Sequence, residues 1–297
     1  MTGIISVVTQ SLILSIMALG IYISYKILDF PDLSVDGSFS LGGAIIAFSL
    51  THNISPITGT LLAIVGGLIS GLVTGVLHIK LKISNLLSGI LVMGMLYSIN
   101  LGIMGQSNLP LFNFNHLFNN RISPLLLVIV LILFCKLSLD LFLTTGLGYT
   151  LKAVGDNSQM VKSLGIDVDI IKILGLMLSN ALVAFSGSLF AQFQGFSDVN
   201  MGIGTLVLGI ASIIIGISLF QKLTVIKATT AIVVGTLIYQ FTIYFAISLG
   251  MVPPNNLKFM TSMVIILFLS VGNLNTLSKK NNNHTNSKKR GLINVTN

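Results

Sequence analysis

The chain has 297 residues, of which 53% are hydrophobic and 8% charged, with a formal net charge of +8 and a mean hydropathy of +0.95. A water-soluble domain of this length needs far more charged surface, so the composition excludes one and asks for burial in a bilayer. Glu is absent and Cys135 is the only cysteine, which leaves few candidates for paired-carboxylate chemistry and none for an internal disulfide.

Measured against the roughly 20 residues a helix needs to cross hydrocarbon, the apolar windows predict spans near 4–27, 56–78, 84–104, 123–145, 171–193, 203–220, 226–248 and 257–272. Met1 to Gln10 carries no basic region of a signal peptide, so the first window reads as a retained helix. Between the first two spans lies a shorter, Gly-rich piece at 37–51, preceded by Asp29-Phe-Pro-Asp-Leu-Ser-Val-Asp36. Pro31 interrupts a continuous helix there, and a short broken or re-entrant helix shielded by protein is expected. The fold class is therefore all-α, a polytopic membrane protein with eight to nine transmembrane segments. One integral domain over 1–272 is expected, followed by a basic, Asn- and Ser-rich tail over 273–297 that reads as disordered.

Basic residues set the orientation. Lys80 and Lys82, then Lys152, Lys162 and Lys172 in the long loop 146–172, then Lys222 and Lys227, then the tail, can all be cytoplasmic at once, with Arg121 the exception. The C-terminus is then cytoplasmic. The N-terminus is outside if 37–51 crosses fully and inside if it only dips in. This loop-confined distribution points to membrane topology and not to nucleic acid.

The loop Gly146-Leu-Gly-Tyr-Thr-Leu-Lys-Ala-Val-Gly-Asp-Asn-Ser-Gln-Met-Val-Lys-Ser-Leu-Gly165-Ile-Asp predicts a compact helix. Asp156 or Asn157 caps it, Ser158 to Leu164 forms about two turns, and Gly165 ends it in a left-handed conformation. Met160, Val161 and Leu164 fall on one side, an apolar stripe that packs on its own loops or lipid, or meets a partner. Asp32, Ser34, Asp36 and Ser38 form the densest polar cluster beside apolar sequence, either lining a pathway or gate or capping a broken helix. Asp198 and Asn200 either contact solute or a delivering protein, or cap the next helix. Asp36-Gly-Ser-Phe-Ser-Leu-Gly-Gly-Ala and Asp198-Val-Asn-Met-Gly-Ile-Gly-Thr also correspond faintly, an Asp before a Gly-interrupted apolar segment in each half, as in transporters built from repeats. His52, His78, His116 and His284 have no metal-ligand spacing, and no cofactor or metal is expected. No Gly-x-x-x-x-Gly-Lys-Ser/Thr cradle occurs, so the chain is not expected to hydrolyse ATP or to be an enzyme.

The loop resembles the coupling-helix region of permeases in the branched-chain amino acid and ribose class of ATP-driven (ABC) importers. Lys152, Ala153, Gly155, Asn157, Leu164, Gly165 and Ile166 fit that pattern in order. Leu28 to Ala44 and Gly195 to Thr205 are similar to the subgroup of tryptophan/tyrosine-type or uncharacterised permeases. One departure is Ile217, where that subgroup tends to carry an acidic residue. The resemblance implies a permease subunit in the inner membrane, forming half of a translocation path for a small solute, an aromatic amino acid. Lys152, Gly155, Asp156, Asn157, Met160, Val161, Leu164 and Gly165 would then face the ATPase. The implied partners are two ATPase copies, a second permease copy or homologue, an extracytoplasmic solute-binding protein and the lipid bilayer. The competing reading is an ion-coupled secondary transporter. It needs a carboxylate inside a span, and only Asp140 lies within a long one.

Overall fold

The computed structural model describes residues 2–119, 123–220 and 226–249, together with 262, 263 and 266. Ten α-helices are described: α1 (Thr2–Ile21), α2 (Ser34–Thr51), α3 (Pro56–Ile79), α4 (Asn85–Met104), α5 (Pro124–Phe142), α6 (Gly146–Asp156), α7 (Ser158–Ser163), α8 (Val168–Gln194), α9 (Thr205–Phe220) and α10 (Ala228–Ser248). Residues up to Phe241 belong to one compact unit, and Thr242 onward to a second. The span expected at 257–272 and the tail 273–297 lie outside the described residues.

Six of the described helical stretches are long and apolar enough to cross a bilayer: Gly3–Ile27, Pro56–Ile79, Asn85–Met104, Pro124–Phe142, Val168–Gln194 and Ala228–Ser248. Their ends follow local chemistry. Ser55 and Ser123 accept the Thr58 and Leu126 amides at 3.2 and 3.4 Å, each followed by Pro at the first helical position. Asp167 accepts the Asp169 and Ile170 amides, and this cap starts α8 three residues before the expected 171. Gly105 and Gly195 close α4 and α8 with φ of +68° and +77°, a conformation that costs glycine nothing.

Two expectations need correction. The segment expected as a broken 37–51 piece is an unbroken helix from Ser34 to Thr51, and the interruption lies before it at 28–33. Fourteen of its 18 residues are buried, so protein rather than lipid surrounds it, and Ser and Gly are tolerated on every side. The loop expected to hold one short helix holds two, α6 and α7. Thr145 caps α6 at the Gly148 amide, and Leu151 and Val154, three apart, anchor its buried face. The fold is helical as expected, with one short antiparallel ribbon of β1 (Asn108–Pro110) and β2 (Phe196–Asp198), Leu109 opposite Ser197.

The core gathers around α8, which packs against α1, α2 and α3. Water drives no burial between helices in a membrane, so close approach and dispersion hold them, and small residues permit it. A Cβ at Gly67 or Gly71 of α3 would strike the Asn180 or Leu176 carbonyl oxygen of α8, and one at Gly42 of α2 the Ala184 carbonyl. Gly187 of α8 lies as tightly on the Phe39 carbonyl of α2. At its C-terminal end α1 widens into a π-helical turn, Tyr22–Ile27, continued by Leu28 N–H donating to Ile23 O at 3.0 Å.

Candidate functional site

The polar cluster read from the sequence divides into two sets that face different ways. Asp32, Ser34 and Ser38 turn toward α8, where Asn180 joins them. Its amide nitrogen donates to Asp32 Oδ2 at 2.9 Å and to Leu176 O at 3.1 Å. Its Oδ1 accepts Ser34 Oγ at 3.2 Å and Ser38 Oγ at 2.7 Å. Ser38 also meets Ser70 of α3 at 2.6 Å, and Asp32 Oδ1 caps α2 by accepting the Ser34 amide at 2.8 Å. Every side chain in this set is buried, and Asn180 uses both its donors and both acceptor positions. A complete network of this kind fixes α2 against α3 and α8. Because Asn180 is the thirteenth residue of α8, α2 begins about 18 Å along that helix, well inside the bundle.

Asp36 faces the opposite way and caps a different helix. Its Oδ2 accepts the Gly204 amide at 2.9 Å, and its Oδ1 accepts Thr205 Oγ1 at 2.9 Å and the Leu206 amide at 2.8 Å. The carboxylate therefore sits on the N-terminus of α9, from about 170 residues away in sequence. The irregular stretch leading there lies along α2, with Gly202 N–H donating to Ser40 Oγ at 3.0 Å and Met201 filling the space beside Gly43. The two Gly-interrupted segments singled out in the sequence thus lie against one another.

Asp198 and Asn200 lie by the ribbon. Asp198 accepts Asn108 Nδ2 at 3.2 Å and the Asn200 amide at 2.7 Å, so it caps its own turn and ties it to β1. The 105–119 segment is fastened to the end of α8 by Leu111 N–H to Gly195 O at 2.7 Å and Leu117 N–H to Gln192 Oε1 at 3.1 Å. Partial burial lowers the His116 pKa, and its Nδ1 accepts the Phe118 amide.

The residues expected to face an ATPase also divide. Lys152 turns inward and donates to Leu143 O at 3.1 Å, closing the end of α5. Gly155 is pressed on the Ile27 carbonyl of the π turn, with no room for a side chain. Asn157 Oδ1 accepts the Met160 amide at 3.0 Å and starts α7, and Gly165, at φ +79°, follows its end. The apolar stripe is not one surface: Val161 is 1% exposed and packs into the core, whereas Met160 and Leu164 are 53% and 69% exposed. Residues 160 and 164 are four apart and share a face, while 161 is turned about 100° from 160.

Asp140 is held by Lys136 at 3.1 Å and Lys227 at 3.4 Å, and it accepts Thr229 Oγ1 at 2.6 Å. With two cations and a hydroxyl on it, this carboxylate fastens the end of α5 to the start of α10. Sequence reasoning passed over Asn180, although an Asn inside an apolar span is itself a signal of a paired or functional group. Among the described residues no cluster of metal-ligating side chains forms.

A family model described as branched-chain amino acid transport system / permease component matches residues 3–269. The chain is 71% identical over 282 residues, 95% of each chain, to a tyrosine transport system permease protein of Clostridioides difficile. It is 35% identical over 283 residues, 91% of this chain and 98% of the relative, to an uncharacterized protein of Rickettsia prowazekii. It is 26% identical over 193 residues, 62% of this chain and 54% of the relative, to the autoinducer 2 import system permease protein LsrC of Yersinia pseudotuberculosis. No solved structure matches. A multi-pass helical chain matched over nearly all its length in this way belongs to the family of branched-chain amino acid transport system permease components: it is a non-catalytic, membrane-spanning subunit of a transport system.

Proposed function

We propose that this chain imports an aromatic amino acid, with tyrosine the first solute to test, as half of the pathway of an ATP-driven importer. The observation that carries the reading is the 71% identity, over 95% of both chains, to a protein named for tyrosine transport. On this reading one of two ATPase copies docks under α7, where Met160 and Leu164 are the exposed apolar contacts. A second copy of this chain or a homologue completes the pathway, and a solute-binding protein delivers to the ribbon end, where Asp198 and Asn200 lie. The integral domain runs over 1–272 with eight to nine spans, and the basic tail 273–297 is cytoplasmic. Asp32, Ser34 and Ser38 hold α2 in place, while Asp36 closes the passage between α2 and α9.

Alternating access then follows from ATP-driven closure of the ATPase pair, which displaces Asn157–Gly165 and repacks the helices along the pathway. The test is uptake of labelled tyrosine into proteoliposomes holding the permease, its ATPase and its binding protein. Tyrosine accumulation should require ATP and be competed by tryptophan or phenylalanine but not by leucine. Accumulation driven by an ion gradient without ATP, or preferential uptake of leucine, would refute the proposal.

A further inference from the structure

Beside α7 lies a polar crevice of about 360 Å³, and its walls belong to three parts of the chain. Leu28 and Asp29 come from the end of the first membrane helix, Val154 to Gln159 from the α6–α7 junction, and Lys172 from the first turns of α8. The local backbone keeps it open. The π turn and the left-handed conformation of Asp29, φ +53°, carry that carboxylate to the surface, and Gly155 sets the junction directly on the Ile27 carbonyl. Asp156 is the last residue of α6, where its charge adds to the negative end of that helix, and it stands just before Asn157, the N-cap of the short α7. Asp29 and Asp156 are both exposed, and neither forms an ion pair with another described residue. The crevice therefore holds two carboxylates and one ammonium, with the C-terminal pole of α6 set against the N-terminal pole of the short α7, and the remaining excess of one carboxylate favours an incoming cation.

We infer that this crevice receives a basic side chain, arginine or lysine, of the ATPase subunit, seated next to the apolar contact of Met160 and Leu164. The inference rests on the docking reading above and adds a second, electrostatic grip to it. The observations that select the occupant are the charge balance and the continuity of the crevice with the exposed face of α7, since Gln159 lines the one and Met160 stands on the other. An apolar groove on a partner accommodates Met160 and Leu164 but does nothing for Asp29 and Asp156, whereas a guanidinium or ammonium does. The consequence is mechanical. A side chain held in the crevice bears directly on the end of the first helix and on the start of α8, so motion of the ATPase reaches these two helices without passing through α7 alone.

The test uses the complete permease–ATPase complex in detergent, with affinity measured at low and high salt. Asn is the substitution of choice, because it keeps the shape of Asp and tolerates the left-handed backbone at 29. The double variant Asp29→Asn, Asp156→Asn is expected to bind the ATPase about tenfold more weakly at low salt, with a smaller salt dependence than the parent. Leu164→Asp should abolish binding at every salt concentration. Unchanged affinity and salt dependence in the double variant, while Leu164→Asp still loses the ATPase, overturns the crevice and leaves the apolar docking intact. If Leu164→Asp also binds normally, the docking reading itself falls, and the crevice falls with it.

Discussion

Replacing Asp36 with Ala is the sharpest perturbation of the contact between α2 and α9. It removes both acceptor oxygens at once and strands the Gly204 amide, Thr205 Oγ1 and the Leu206 amide. Loss of a helix N-cap costs about 0.5–2 kcal/mol, and loss of a carboxylate from the positive end of a helix about 0.3–1 kcal/mol. Leaving donors partly buried without partners adds about 1–3 kcal/mol, and because these contributions overlap, about 2–4 kcal/mol is expected in total. The Asn variant keeps one oxygen for Thr205 and Leu206 but turns an amide toward the Gly204 N–H, so it should lose about half as much. Hydrogen exchange of the Gly204 and Leu206 amides in detergent reads the contact directly, and thermal unfolding of the same samples reads its contribution to stability. The Ala variant should exchange these amides faster and unfold several degrees lower, with Asn between it and the parent. Unchanged protection and an unchanged melting temperature in the Ala variant would show that Asp36 does not hold α9.

Three further outcomes are expected. Gly155→Val places a side chain on the Ile27 carbonyl and must lift α6 from the π turn, so ATP-dependent uptake should drop at least tenfold while the protein still inserts and purifies; full uptake would contradict the seating of α6. Gly165→Val forces a β-branched residue into φ +79° at the end of α7, which should weaken ATPase co-purification without loss of membrane expression, and intact complex would speak against that turn as a docking element. Asp140→Asn leaves Lys136 and Lys227 unpaired and should lower the melting temperature while preserving ATP-driven uptake; abolished uptake in a stable variant would return Asp140 to the role of a coupling-ion site.

The long apolar helices were legible because their signal is composition over about 20 residues, and Pro56, Pro124, Gly105 and Gly195 mark their ends by chemistry that acts within a few residues. The helix 34–51 was misjudged because its glycines and the preceding Pro31 read as interruption. In a helix walled by protein the glycines and serines are small residues that let neighbours approach, and only the tertiary contacts with Ala184, Asn180 and Leu96 reveal this. The same limit applies to Asp36 and Asp198. Each was readable as a cap, but that Asp36 caps a helix from the other half of the chain depends on the packing of α2 against 201–204, a relation with no local signature. In the loop, helical spacing placed Met160, Val161 and Leu164 together. The structure separates Val161, because a helix of six residues resting on a protein surface divides its apolar residues between the core and the exterior.

The strength of these contacts indicates where the molecule can yield. Between α2, α3 and α8 the backbones touch through Gly42, Gly67, Gly71 and Gly187, and Asn180 spends all its hydrogen-bonding capacity inside the group. Sliding one of these helices would drive Cα atoms past carbonyl oxygens and break a buried polar network with nothing to replace it. Just before α9, Gly202 sits as tightly on the Asp36 carbonyl, but the Asp36 carboxylate itself is placed differently. It lies at the edge of this group, its acceptors are partly exposed, and water can substitute for each of its three hydrogen bonds as it opens. On the alternating-access reading, these three hydrogen bonds at the start of α9 are the ones expected to open while the α2–α3–α8 group stays intact. On the same reading, a displacement at the 146–172 loop is expected to travel through α6, which rests on the π turn of α1, and through α1 to α8.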